Sequence, residues 1–290
     1  MDLKRVINKT PHKLKCGRFT LPLNRPLVMG ILNLTPDSFS DGGRFDNTDG
    51  VLSCAESMIE SGVDIIDVGA ESTRPGSEEV NEKIEWNRIK EVLPHLYKMK
   101  VPISLDSRKP YVMDRALSSG IDMINDVSGF QLEETINLIK DCSSDNIGFC
   151  IMHMQGNPQN MQDSPRYGDV VAEVEHFLMQ RHDVLLSLGI KKNSLLIDPG
   201  FGFGKTKDHN LKLLHSISRL KNIAPVLVGI SRKRLIAEMS LRDCPPTDRL
   251  GGSLAAAVWS VSQGASIVRV HDVKETVDAL RVFQKLIENK

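Results

Sequence analysis

The chain has no excess of charge of either sign: among its 290 residues, 37 Lys and Arg balance 37 Asp and Glu, a formal net charge of +0 at pH 7. Without a global basic field, nothing draws the whole surface to nucleic acid or anionic lipid, so any handling of anions has to be local. No run of 18 apolar residues occurs, and the basic start MDLKRVINKTPHKLK lacks the apolar stretch and small-residue site of a secretion signal. A cytoplasmic protein with no membrane partner and no nucleic-acid partner is expected. The five cysteines, Cys16, Cys54, Cys142, Cys150 and Cys244, are odd in number and form no C-x-x-C pair. That argues against a disulfide framework and for reduced, packing thiols.

Several nucleotide and metal motifs are missing too. After the first apolar run, where a dinucleotide fold needs G-x-G-x-x-G, the chain reads NLTPDSFSDGG. The stretch Gly200 to Thr206 ends in the G-K-T of a P-loop, but the first required glycine falls on Pro199. His153 lies in no H-E-x-x-H or H-x-x-x-H context, so Met152-His153-Met154 reads as pocket wall, not as a zinc site.

What is present is a repeated unit. Eight apolar, β-branched runs start at Leu27, Asp64, Pro102, Asp122, Ile147, Leu195, Pro225 and Ile267. They are nearly continuous in apolar residues, as parallel strands buried on both faces require. Between them lie helical stripes such as Val170, Val174, Phe177, Leu178, Leu185 and Leu188, or Val273, Val277, Leu280, Phe283 and Ile287. Gly62, Gly120, Gly189 and Gly264 each close a helical stretch shortly before a strand, the place of a left-handed helix cap. The alternation, unbroken by any linker, predicts an α/β protein with a single (β/α)8 TIM barrel over residues 26–290. Residues 1–25 are expected to form an N-terminal extension whose short hairpin, turning at Cys16-Gly17-Arg18, closes the barrel base.

In such barrels the reactive side chains stand where strands end. Here the strand ends carry Asn33, Glu71 to Gly76, Asp106, Asn125-Asp126, Met152-His153-Met154, Asp198-Pro199-Gly200, Ser231-Arg232-Lys233 and Arg269 to Asp272. One Asp at a strand end is more often a turn former or helix cap than a catalyst. Eight polar ends on one rim are another matter. Three cations (Arg74, Lys233, Arg269), the titratable His271, the carboxylates Asp106 and Asp198 and the amides Asn33 and Asn125 suit an anionic substrate with a hydrogen-bonding ring. Arg269 and His271 are expected on that rim, clear of the barrel's interior layers.

The segments GILNLTPDSFSDGG (30–43), ESTRPG (71–76), MHMQGNP (152–158), DPGFGFGK (198–205), SRK (231–233) and RVHD (269–272) resemble dihydropteroate synthases, in that family's order. The resemblance implies transfer of a (7,8-dihydropterin-6-yl)methyl group from its diphosphate to p-aminobenzoate, with Mg2+ assisting, in a homodimer. It implies that Asp198, Asn125, Asp106, Met152 and Lys233 hold the pterin and that Asn33, Arg269 and His271 hold the diphosphate, with Asn33 also on the metal. It further implies that Phe39, Thr73, Arg74, Pro75 and Phe203 frame p-aminobenzoate, and that Asp41, Arg74 and Lys233 serve the chemistry. The loops 35–44 and 70–79, rich in Gly, Pro, Ser and Asp, are expected to act as lids.

Ala70 stands where the family commonly has glycine, and Arg234 where it commonly has serine; Arg234 could pair with the aryl carboxylate, crowd it or point into solvent. A methyltetrahydrofolate:corrinoid methyltransferase also holds a pterin in a TIM barrel, but has no need of Lys233, Arg269 and His271 for a diphosphate. A catalytically silent pterin-binding relative would be expected to have lost an anion or lid residue, and every matched position is present.

Overall fold

A computed structural model describes residues 12–35, 48–72, 76–142 and 146–288. An antiparallel hairpin, β1 (Lys13–Cys16) and β2 (Phe19–Pro22), comes first. Each of the eight apolar runs then supplies one strand: β3 (Leu27–Asn33), β4 (Ile65–Gly69), β5 (Ile103–Asp106), β6 (Met123–Asp126), β7 (Gly148–Met152), β8 (Leu195–Asp198), β9 (Leu227–Val228) and β10 (Ile267–Val270). All pair in parallel in the order β8-β7-β6-β5-β4-β3-β10-β9, and a parallel bridge between Ile197 and Val226 joins the two ends. This is the expected (β/α)8 barrel.

The helices of the described residues are α1 (Thr48–Glu60), α2 (Glu82–Ile89), α3 (Leu93–Leu96), α4 (Pro110–Ser118), α5 (Glu133–Asp141), α6 (Val170–Ser187), α7 (Lys207–Leu220), α8 (Arg234–Ser240), α9 (Leu250–Ser262) and α10 (Val273–Glu288). The stripes read from the sequence face inward, with Val170, Val174, Leu178 and Leu185 buried on α6 and Val273, Val277 and Leu280 on α10. Gly62, Gly120, Gly189 and Gly264 have φ of +91°, +87°, +91° and +105°, so each ends its helix in the conformation a side chain disfavours.

Inside the barrel, side chains alternate in and out along each strand. The lowest inward layer is apolar: Leu27, Met29, Ile65, Met123, Cys150, Leu196, Leu227 and Ile267 pack together with Leu14, Cys16 and Leu23 from the hairpin and the turn after it. The hairpin thus plugs the N-terminal end, and each fully buried Leu or Ile there contributes roughly 1.5 to 3 kcal/mol. Two residues further along the strands, the same inward column reads Asp67, Asn125, Met152, Asp198 and Arg269. An apolar floor therefore carries a polar layer, and the strands' C-terminal ends open onto it.

The plug is held by charge as well as by packing. Arg18 donates from Nε and Nη2 to the two Asp122 oxygens at 3.0 and 2.7 Å, and lies over the Tyr97 ring at 3.6 Å. Asp122 is buried, and its Oδ2 also accepts from Ile103 N at 3.0 Å. Arg18→Ala is expected to lower unfolding free energy by about 2 to 3 kcal/mol, the scale of lost hydrogen bonds to a buried charge. Denaturant melts measure it, and an unshifted midpoint would mean the hairpin is held by packing alone.

Candidate active site

The polar layer is organised around Arg269. From β10 its Nε donates to Asp67 Oδ2 and its Nη2 to Asp106 Oδ2, both at 2.5 Å, so one guanidinium ties β10 to β4 and β5 across the barrel mouth. Asn125 on β6 donates to the same Asp67 oxygen at 3.1 Å. Burial pushes the Asp106 carboxyl up, to about 7; Arg269 opposes this, and the charges of Asp67, Glu85 and Asp126 add to it. Against its own burial, Arg269 is held above the usual arginine range by Asp67 and Asp106. Three acceptor atoms at this mouth, Asp67 Oδ1, Asp106 Oδ1 and Asn125 Oδ1, are buried without any hydrogen-bond partner. Each such atom costs about 1 to 3 kcal/mol unless a donor reaches it. The layer is short of hydrogen-bond donors.

This corrects one expectation. Arg269 does not stand on the rim clear of the interior, because its inward phase, two residues beyond Ile267, points the guanidinium into the barrel. Asp67, absent from the sequence-based candidates, is wholly buried and central to the cluster. The available signal was an ionisable residue inside a strand, in phase with the core residue Ile65.

Across the mouth, Asp198 ends β8 with Oδ1 accepting from Gly200 N at 2.7 Å. Burial raises its pKa, while Lys233, the Gly200 amide, Lys205 and Arg269 pull the other way. Lys233, at the N-terminus of α8, donates from Nζ to Phe201 O at 2.5 Å and lies 4.4 Å from the centre of the Phe203 ring. Burial lowers Lys233 to about 8 against the support of Asp198. Met152 is buried at the end of β7, in register with Asp198. His271 lies beside the Ser231 hydroxyl, with Nδ1 at 3.2 Å from Oγ, and Asn33 is half-buried at the end of β3. The structure therefore brings Asn33, Asp106, Asn125, Met152, Asp198, Phe203, Lys233, Arg269 and His271 to one end of the barrel. Phe39, Asp41, Thr73, Arg74 and Pro75 lie outside the described residues.

Arg234, the first residue of α8, lies in solvent: its side chain is 89% exposed and pairs along the helix with Glu238 at 3.1 Å. Ala70 is buried, and its carbonyl accepts from Arg88 Nη1 at 2.7 Å. His153 is buried and has a partner, since its Nδ1 lies 2.9 Å from Lys205 Nζ. Among the described residues no group of three or more His, Cys, Asp or Glu could hold a metal ion.

Two predictions come from these contacts. Arg269→Ala leaves Asp67 and Asp106 without their cation, so it should destabilise the fold by about 3 to 5 kcal/mol as well as impair the site; a near wild-type melting temperature would refute the pairing. The second concerns His153, which burial, with Lys205 adding, lowers from 6.5 to about 3. The unfolded histidine takes up a proton near 6.5 that the folded one refuses until about 3, so the stability held here is complete above the first value and drains away as pH falls toward the second. Relative to wild type, His153→Gln should flatten the loss of stability over that window by up to about 1.4 kcal/mol per pH unit. Parallel stability curves would contradict it.

Comparison with known proteins agrees with this geometry. Residues 29–271 match the family described as pterin binding enzyme. The chain is 44% identical over 281 residues to a dihydropteroate synthase of Neisseria meningitidis serogroup B, covering 95% of this chain and 98% of that one. Its fold is similar to a Xanthomonas albilineans dihydropteroate synthase solved with 4-aminobenzoic acid, with a TM-score of 0.88, 42% identity and coverage of 96% of this chain and 98% of that one. It is also similar to a Burkholderia cenocepacia dihydropteroate synthase complexed with 7,8-dihydropteroate, with a TM-score of 0.86, 42% identity and the same two coverages, 96% and 98%. An inward layer of carboxylates and amides over an apolar floor, matched along nearly the whole chain, leaves one assignment: the chain belongs to the pterin-binding enzymes and, within them, to the dihydropteroate synthase family.

Proposed function

We propose that this chain condenses (7,8-dihydropterin-6-yl)methyl diphosphate with p-aminobenzoate to give 7,8-dihydropteroate and pyrophosphate, a step of folate biosynthesis. The observation that carries the reading is the set of unpartnered buried oxygens on Asp67, Asp106 and Asn125, with Asp198 across the same barrel mouth. A reduced pterin presents ring N–H groups and a 2-amino group in one plane, and a carboxylate such as Asp198 can accept two of them as it accepts an arginine fork. Asp106 and Asn125 then take the remaining ring donors, Lys233 donates to the ring's acceptor edge, and Met152 forms an apolar floor.

The diphosphate lies toward His271, Asn33 and the part of the Arg269 guanidinium not bonded to Asp67 and Asp106. In the reaction the methylene carbon–oxygen bond breaks first, its electron pair leaving on the diphosphate oxygen. The resulting cation is spread over the electron-rich pterin. The amine nitrogen of p-aminobenzoate then bonds to the methylene carbon and gives up a proton. What the protein must supply is stabilisation of the departing anion and exclusion of water.

Magnesium fits this site as a sparsely held ion. A Mg2+ that keeps most of its waters needs little more than one amide oxygen and the substrate's phosphates, which suits a half-buried Asn33. When bound it neutralises part of the charge on the leaving diphosphate. Phe203, beside Lys233, fits one wall of the aryl pocket; the roles of Phe39, Asp41, Thr73, Arg74 and Pro75 rest on the family resemblance alone. A homodimer is supported by the exposed apolar side chains Trp259 on α9 and Val282 and Leu286 on α10, helices that pack together. A cytoplasmic location is supported by five free cysteines. No helix of the described residues is long and apolar enough to cross a membrane.

Incubated with pterin diphosphate, p-aminobenzoate and Mg2+, the protein should release pyrophosphate only when p-aminobenzoate is present; release without it would favour a hydrolase, and none would reject the reading. Asp198→Ala should weaken binding of a pterin analogue by roughly 2 to 5 kcal/mol, the loss expected for a charged buried partner. Calorimetry giving wild-type affinity would remove Asp198 from the pterin site.

A further inference from the structure

Lys205 is a buried cation near the site that the functional reading leaves without a task. It follows the loop after β8, is only 3% exposed, and directly precedes Thr206, the N-cap of α7. A positive charge is disfavoured there by the helix dipole, and burying an ammonium is costly where an apolar side chain would serve packing better. Yet the charge is met on every side. Nζ lies 2.9 Å from His153 Nδ1 and donates to Phe203 O at 2.9 Å, Gly200 O at 3.0 Å and His153 O at 3.2 Å. Three ammonium hydrogens face four acceptors, so none is wasted.

These acceptors belong to two loops, the one after β7 through His153 and the one after β8 through Gly200 and Phe203. The loops are pressed together. Gly200 has φ +69°, and a Cβ there would stand 1.9 Å from His153 O; Gly204 has φ +62°, and a Cβ there would stand 2.5 Å from Gln155 O. Phe203 is thereby held by its own carbonyl, and its ring stands 4.4 Å from Lys233 Nζ, which in turn donates to Phe201 O. One short loop is gripped at Gly200 and Phe203 by Lys205 and at Phe201 by Lys233.

We propose that Lys205 is a positioning residue for the aryl-acid pocket, clamping the two loops so that the Phe203 ring stands where p-aminobenzoate needs it. The proposal rests on the reading of Phe203 as an aryl-pocket wall. A purely structural lysine would have a different signature, since its loss would lower stability and weaken both substrates together.

The experiment is steady-state pyrophosphate release with pterin diphosphate, p-aminobenzoate and Mg2+, alongside calorimetry of a pterin analogue, for wild type, Lys205→Met, Lys205→Gln, Phe203→Ala and the Lys205→Met/Phe203→Ala double variant. Lys205→Met is expected to raise KM for p-aminobenzoate about tenfold, with kcat within about threefold and pterin-analogue affinity within about twofold of wild type. Lys205→Gln returns two N–H donors to the cage and should give a smaller rise in the same KM. If Lys205 acts through Phe203, the double variant should be no worse than Phe203→Ala alone, a non-additivity that separate roles would not produce. An unchanged KM, a parallel fall in pterin affinity, or multiplicative effects in the double variant overturns the proposal. Should Lys205→Met not fold, Lys205→Gln decides: it must still raise KM for p-aminobenzoate several-fold with pterin affinity kept, and a wild-type KM overturns the assignment. An inactive wild type defeats the functional reading and this proposal with it, whereas an active wild type with indifferent Lys205 variants defeats the role of Lys205 alone.

Discussion

Arg269 bridging Asp67 and Asp106 is the contact on which the barrel mouth depends. An eight-stranded barrel must fill its interior with side chains, and in this chain the lower inward layer does so with Leu, Ile, Met and Cys, joined by the buried Ser104 of β5. The layer above holds two carboxylates and an amide, from the middle of β4 and the ends of β5 and β6, and without the guanidinium from β10 the carboxylate charges would repel one another in a medium poor in water. The same bridge settles which oxygens remain. By taking Oδ2 of each carboxylate, Arg269 leaves Asp67 Oδ1, Asp106 Oδ1 and Asn125 Oδ1 unsatisfied, and these are the atoms a ring of N–H donors would meet.

The opposite wall is built on a different economy of charge. Asp198 and Lys205 are buried and Lys233 is half-buried, and each is moved from its ordinary protonation range by desolvation and partly restored by its neighbours. Backbone carbonyls take the place of counter-ions there: Phe201 O for Lys233, and Gly200 O, Phe203 O and His153 O for Lys205. A wall so constructed is tied together where β7 and β8 end. On the proposed function, a pterin seated against it would meet preformed partners, with little ordering left to be done on binding.

Most of the fold was legible because the strands are continuous apolar runs closed by glycines, and both signals arise from local chemistry. The eight strands fall where those runs begin, and Gly62, Gly120, Gly189 and Gly264 take the left-handed conformation expected of them. The phase of the site was harder to read. Arg269 looked like a rim residue because it ends a strand, yet its two-residue spacing from Ile267 turns it inward; Asp67 was hidden inside a strand that reads as core. Lys205 sits in a failed P-loop motif, and nothing local tells that its ammonium curls back onto its own loop. Arg234 was ambiguous in sequence because only the course of the helix brings Glu238 within its reach.

The central claim is that the barrel mouth withholds hydrogen-bond acceptors for the donor edge of a pterin, and the most direct test is calorimetric comparison of a pterin analogue with the same analogue lacking its 2-amino group. The account predicts that deleting the amino group weakens binding by at least about tenfold, because a buried acceptor is then left without a donor. Equal affinities for the two compounds would contradict it.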